Sequence, residues 1–273
     1  MFKAAFKTVK ENLRSQKLLK CLLLFLLAVL LWHIYRFLVE ISVFFPDLKW
    51  GAPLGYIFYL GFYILMFATL ALFVKVIDQS SLYEIGLRKA TRWRAYVVLG
   101  IFFAFLARSL EILSISIGAG TPTFLGYPSL PIIIFFVIDT LIVGLAEEGT
   151  FRGYIQKHLT HVYGFIPALL VSSVLFKVYH VNFFEATFSD LALTILVIVP
   201  SFGMFAGYFY YRTGENLLGP IVLHMFYDLF GTIIPLGVET SNLPAGSVSI
   251  LKIIQWLMLM FTLKILADKK VIT

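Results

Sequence analysis

Eight apolar stretches, each long enough or nearly so to cross a bilayer as a helix of about 20 residues, follow one another with short connections between them. They fall near 18–45, 52–77, 95–117, 130–155, 165–181, 189–211, 216–238 and 246–265. Of the 273 residues 60% are hydrophobic and only 14% charged, a balance that a soluble globule of this size does not show. The chain therefore reads as an all-α, polytopic integral membrane protein of about eight transmembrane helices. No repeat, low-complexity tract or separate soluble domain interrupts it, so residues 1–273 form one membrane domain. The basic run before the first stretch resembles a secretory signal, but the stretch is too long and no small-residue cleavage site follows. It is expected to remain as an anchor.

Basic residues favour the cytoplasmic side. With the N-terminus inside and eight spans, that side receives Lys3, Lys7, Lys10, Arg14, Lys17, Lys20, Lys75, Arg88, Lys89, Arg92, Arg94, Arg152, Lys157, Arg212, Lys264, Lys269 and Lys270. The outer connections hold Lys49 among Glu40, Asp47, Glu185, Asp190 and Glu239. Both termini are expected to be cytoplasmic, and short loops suit a prokaryotic plasma membrane, with the endoplasmic reticulum as the eukaryotic alternative. The net charge of +7 follows from this asymmetry and from attraction to anionic lipids, so nucleic acid is not an expected partner. The sole cysteine, Cys21, excludes an internal disulfide framework. Residues 78–94 read as a short amphipathic element at the inner interface, and 118–129 as an outer loop.

Charges within apolar stretches are costly and mark function. The fourth stretch ends in Ala146-Glu147-Glu148-Gly149-Thr150-Phe151-Arg152-Gly153. Glu148 and Arg152, at i and i+4, face each other on a helix, while Glu147 is turned about 100° away and is free to face a cavity. Phe176 and His180 share a face of the fifth stretch, and His224 and Asp228 a face of the seventh. Each set alone is equally at home as a helix-end charge pair or an interhelical polar contact. Three such sets on three helices read as one polar intramembrane cavity. Arg108 and Glu111 are expected to neutralise each other within the third helix. Asp139 and Lys177 would either pair across helices or line a wet passage.

The order Glu-Glu-x-x-x-Arg-Gly, Phe-x-x-x-His and His-x-x-x-Asp resembles the three-motif signature of the CAAX prenyl endopeptidase and bacteriocin-processing (Abi) family. The flanks Ser81–Arg88 and Tyr211–His224 also resemble that family, so the likeness covers about 81–230. It implies an intramembrane endopeptidase of the Ras-converting type, acting on a lipid-anchored, CAAX-type prenylated or membrane-associated peptide through water rather than a covalent nucleophile. Carried over by position, Glu147 and His180 activate the water, His224 and Asp228 stabilise the oxyanion, and Glu148, Arg152 and Phe176 support them. No cofactor is expected. The alternative is a zinc protease using Glu147, His180, His224 and Asp228 as ligands; a non-enzymatic immunity or transport-related scaffold is a further one.

The family commonly has Asn at the last motif position, where Asp228 stands. An amide donates a hydrogen bond to an oxyanion, whereas an ionised carboxylate cannot. Depth sets a second condition. If the fourth and fifth helices are simple full spans, Glu147 lies in the inner third and His180, about 15 residues and 1.5 Å per residue into its helix, near the outer end. For the two to meet, the turn around Gly164 and Pro167 must sit outside the membrane plane, or the fifth helix must tilt or shift inward.

Overall fold

In the computed structural model, residues 16–43, 51–119, 123–124, 126–181, 201–234, 236–237 and 247–270 are described. The basic residues through Arg14, and Asp47, Lys49, Glu185, Asp190 and Glu239, lie outside them. The protein is built of helices α1 (Lys17–Val43), α2 (Gly51–Leu72) with a π-helical end, Phe73–Ile77, and α3 (Trp93–Ala119). Helix α4 (Leu130–Glu148) passes through a π-helical segment, Gly149–Gln156, into α5 (Lys157–Tyr163). Then come α6 (Phe165–Tyr179), α7 (Ser201–Arg212), α8 (Leu218–Ile233) and α9 (Ser247–Asp268).

Every expected apolar stretch thus contains a helix. Among the described residues four helices are long and apolar enough to span a membrane by themselves, Lys17–Val39, Gly55–Ile77, Trp93–Ser114 and Leu130–Tyr163, while Phe165–Tyr179 and Leu218–Ile233 are apolar but shorter. The start of the sixth stretch, 189–200, lies outside the described residues. The loop at 118–129 is not wholly irregular: β1 (Thr123–Phe124) pairs antiparallel with β2 (Leu236–Gly237). This pairing puts the α3–α4 and α8–α9 connections at the same end of the bundle.

The helices bury their apolar faces in a small cluster of Tyr210, Leu217 and Ile221 and in two large ones. One joins α1, α2, the α4–α5 rod and α6 through residues such as Leu24, Tyr63, Met66, Phe151 and Tyr179. The other joins α3, α7, α8 and α9 through Phe103, Phe205, Phe209, Leu223 and Trp256. Their outer faces carry exposed leucines, isoleucines and phenylalanines, as a lipid-facing surface requires.

The fourth element does not end near residue 155. Pro131 sits in the first turn of α4, where its missing N–H is no loss, and the helical run continues for 34 residues to Tyr163. At 1.5 Å per residue this rod is about 50 Å long, well beyond the roughly 30 Å hydrocarbon core. Gly164 reverses the chain at φ +81°, a conformation costly for residues with a Cβ, and α6 returns alongside. Seventeen residues separate Glu147 from Gly164 and sixteen separate Gly164 from His180. The arms of this helical hairpin are equal, which is how His180 reaches the level of Glu147.

Residues 78–92 form turns and bends rather than a helix. Their backbone is clamped to the α7–α8 turn: Leu217 N–H donates to Gly86 O (3.0 Å), Asn216 Nδ2 to Arg88 O (3.0 Å) and Arg88 to Gly214 O (2.6 Å). Gly153 fits this joint because a Cβ there would sit 2.8 Å from Ile85 O and 2.9 Å from Leu217 Cδ1. The basic end is also held by Asp78, which pairs with Lys20 of α1 and lies 3.3 Å from His158 Nε2 of α5. Burial raises the Asp78 carboxyl, but the hydrogen bonds and charges of His158 and Lys20 outweigh it and lower its pKa from 3.8 to about 2. A depressed carboxylate contributes stability that is complete above its unfolded pKa and is lost as pH falls through the folded one. Between about pH 4 and pH 2 the melting temperature of the purified protein should therefore fall more steeply than that of Asp78→Asn, as a thermal scan at each pH would show.

Candidate functional site

The site forms at the seam between the two clusters, where α4 and α6 face α8. Glu147 is 1% exposed. Its Oε1 accepts a hydrogen bond from the Tyr63 hydroxyl (2.8 Å) and lies 3.6 Å from His180 Nε2. Its Oε2 lies 3.5 Å from His224 Nε2 and has no hydrogen-bond partner among the described residues. Two imidazoles therefore face one carboxylate at distances longer than a direct hydrogen bond.

The tautomers follow from the other ring nitrogens. His180 Nδ1 is 2.7 Å from Phe176 O. A carbonyl only accepts, so Nδ1 carries a proton and Nε2 is the nitrogen that faces Glu147. His224 Nδ1 is 2.7 Å from Glu148 Oε1, and its Nε2 is 3.4 Å from Asp228 Oδ2 as well as near Glu147. Both of its nitrogens face carboxylates, an arrangement that suits the imidazolium, which donates from both sides.

Glu148 and Arg152 are both 0% exposed. They form the i, i+4 pair read from the sequence, at 3.1 Å. Arg152 also donates to Gly203 O (3.3 Å) and stacks 4.2 Å from the centre of the Phe176 ring, an attraction of positive charge to the ring face. Phe176 in turn contacts the His180 ring at 4.8 Å. Beneath Glu147 there is thus a connected chain from α4 to α6, α7 and α8, in which Glu148 holds His224 as well as Arg152. The π-helical segment begins at the next residue, and all eight of its residues are buried. Wide turns of this kind recur at functional sites.

A cavity of about 300 Å³ opens over these groups, with Glu147, His180, His224 and Asp228 in its wall beside Tyr59, Lys177 and Trp256. All four residues singled out as catalytic candidates are together there, Phe176 also lines the cavity, and Glu148 and Arg152 lie behind it. Arg108 and Glu111 pair at 2.8 Å, and the Tyr227 hydroxyl donates to the same Glu111 oxygen at 3.0 Å. Asp139 and Lys177 do not pair. Lys177 lines the site cavity, and Asp139 lines a neighbouring one. Among the described residues no group of three or more His, Cys, Asp or Glu side chains is arranged to hold a metal ion.

Tyr63 is the site residue that motif reading passes over, because a tyrosine in an apolar span is ordinary core. The available signal was spacing: Tyr56, Tyr59 and Tyr63 recur at three and four residues along one face of α2.

This arrangement is that of a membrane protein with a carboxylate–imidazole constellation in the wall of a cavity. Residues 128–230 match the family described as type II CAAX prenyl endopeptidase, Rce1-like, in keeping with the resemblance that the motifs carry. The match contains all three motifs. No curated protein matches the chain.

Proposed function

We propose that this protein is an intramembrane endopeptidase that hydrolyses a peptide bond in a lipid-anchored, CAAX-type prenylated or membrane-associated peptide. The observation that carries the reading is the approach of His180 Nε2 and His224 Nε2 to opposite oxygens of the Glu147 carboxylate, at 3.6 and 3.5 Å, in the wall of a cavity. We read the chain as a single domain of eight spans with both termini cytoplasmic, in a prokaryotic plasma membrane.

In this scheme a water held by Glu147 and His180 adds to the carbonyl carbon as its proton passes to Glu147. The carbonyl electron pair moves onto oxygen, and the His224 imidazolium donates to that oxyanion. Collapse restores the carbonyl and breaks the C–N bond, and the leaving nitrogen takes the proton from Glu147. Tyr63 fixes the base by holding Oε1, which leaves Oε2 turned toward His224. Asp228 acts through His224, lending it negative charge, so an amide is not needed at this position.

The test is cleavage of a fluorogenic prenylated or hydrophobic peptide by the full-length protein in lipid nanodiscs. Turnover in buffer containing EDTA is the expected result. Asp228→Asn should keep activity within about tenfold, since an amide can itself donate to the oxyanion. Loss of Asp228→Asn activity in EDTA, with recovery on adding zinc, would favour a metal-dependent scheme built on the same residues.

A further inference from the structure

Next to the catalytic cavity lies a larger one, of about 750 Å³, on the side toward the start of α4. Tyr59, Val143 and Asp228 belong to the walls of both, so the two are contiguous. The charged groups of the second cavity are Arg108, Asp139 and Asp228. Arg108 is already used: it pairs with Glu111 (2.8 Å), donates to Tyr227 O (2.7 Å) and lies 3.7 Å over the Tyr227 ring. Asp228 faces His224. Asp139 is different. It is 3% exposed, and its Oδ1 has no hydrogen-bond partner among the described residues. A buried carboxylate oxygen without a hydrogen-bond partner is costly, and a carboxylate in the wall of a cavity that adjoins the catalytic one is suited to meet a cation.

We infer that Asp139 forms a specificity subsite for a lysine or arginine side chain of the substrate, an assignment that rests on the endopeptidase reading. Asp139 precedes Glu147 by eight residues, which is about 12 Å along the helix. An extended peptide covers that distance in three to four residues at about 3.3 Å each. The basic residue therefore sits three or four positions from the scissile bond. Its ammonium or guanidinium meets the Asp139 carboxylate, and the Tyr56 and Tyr59 rings in the cavity wall cover its methylene stem.

The experiment scans one lysine through positions one to six on each side of the scissile bond of a fluorogenic peptide, with glutamine in the reference. The full-length protein should cleave the peptide with lysine at the third or fourth position, on one side, at least tenfold faster in kcat/KM than the glutamine peptide. Asp139→Asn should erase that preference while cleaving the glutamine peptide at the wild-type rate. A preference that survives in Asp139→Asn, or no preference in the wild type, overturns the subsite. A sodium requirement lost with Asp139→Asn would assign the carboxylate to an inorganic cation and overturns it too. Binding of the same labelled peptides to Glu147→Gln, followed by anisotropy, separates this subsite from the cleavage chemistry. If no peptide is hydrolysed, tighter binding of the lysine peptide that Asp139→Asn abolishes still supports the subsite, and equal binding overturns it.

Discussion

Glu147→Gln should lower kcat for peptide cleavage by about a thousandfold or more, the upper range for loss of a positioned general base, with KM nearly unchanged. The substitution keeps the shape of the side chain and its acceptor for the Tyr63 hydroxyl, so the bundle should stay folded, which a thermal scan of the purified variant would check. In the proposed scheme it removes the group that takes a proton from water and returns it to the leaving nitrogen. A loss confined to kcat marks an interaction made in the transition state rather than in substrate binding. A Glu147→Gln protein that cleaves at the wild-type rate would remove the base from the scheme.

Arg152→Met should produce the largest loss of stability. The guanidinium is fully buried, 3.1 Å from Glu148 and stacked on Phe176. Removing it leaves the buried Glu148 carboxylate with His224 alone in place of a full guanidinium partner, and breaking such a buried pair from one side costs about 3–5 kcal/mol. For a chain of this size that corresponds to a fall in melting temperature of roughly 10 °C. Adding Glu148→Gln should recover much of the fall, because the stranded charge is then gone. Activity should not return with stability in the double variant, since Glu148 also fixes His224 Nδ1 at 2.7 Å. Separate measurements of melting temperature and turnover distinguish the two roles of this one carboxylate.

Much of the site was legible because charge in an apolar span is rare enough to stand out. Glu147, Glu148, Arg152, His180, His224 and Asp228 announce themselves by type, and helical spacing correctly divided Glu148, which pairs with Arg152, from Glu147, which faces the cavity. Length was harder to read. The apolar run weakens after residue 155, where Gln156, Lys157 and His158 begin, yet the helix continues to Tyr163. Hydropathy marks where lipid ends, not where helical hydrogen bonding ends. The whole difficulty of bringing His180 to Glu147 came from that difference, and the equal arms about Gly164 remove it. Residues 78–94 read as an amphipathic interfacial element because Trp93 and the arginines beside it suit the headgroup region, yet 78–92 form turns and bends. Their partners are the backbone of Gly214 and Leu217 and the side-chain amide of Asn216, and such long-range pairings leave no periodic trace. Tyr63 and the isolation of Asp139 were hidden for a related reason. Both depend on which face of a neighbouring helix is presented, and that is decided by packing between helices.

The pairing of the Glu147 carboxylate with the His180 imidazole on a single attacking water is most directly tested by a double-mutant cycle. The kcat/KM of wild type, Glu147→Gln, His180→Ala and the combined variant would be measured on one fluorogenic membrane peptide. Groups that act as a unit are strongly non-additive, so the combined variant should be no slower than the worse single one, within about threefold. Losses that multiply through the cycle would mean that the two side chains work independently, and would contradict the shared water.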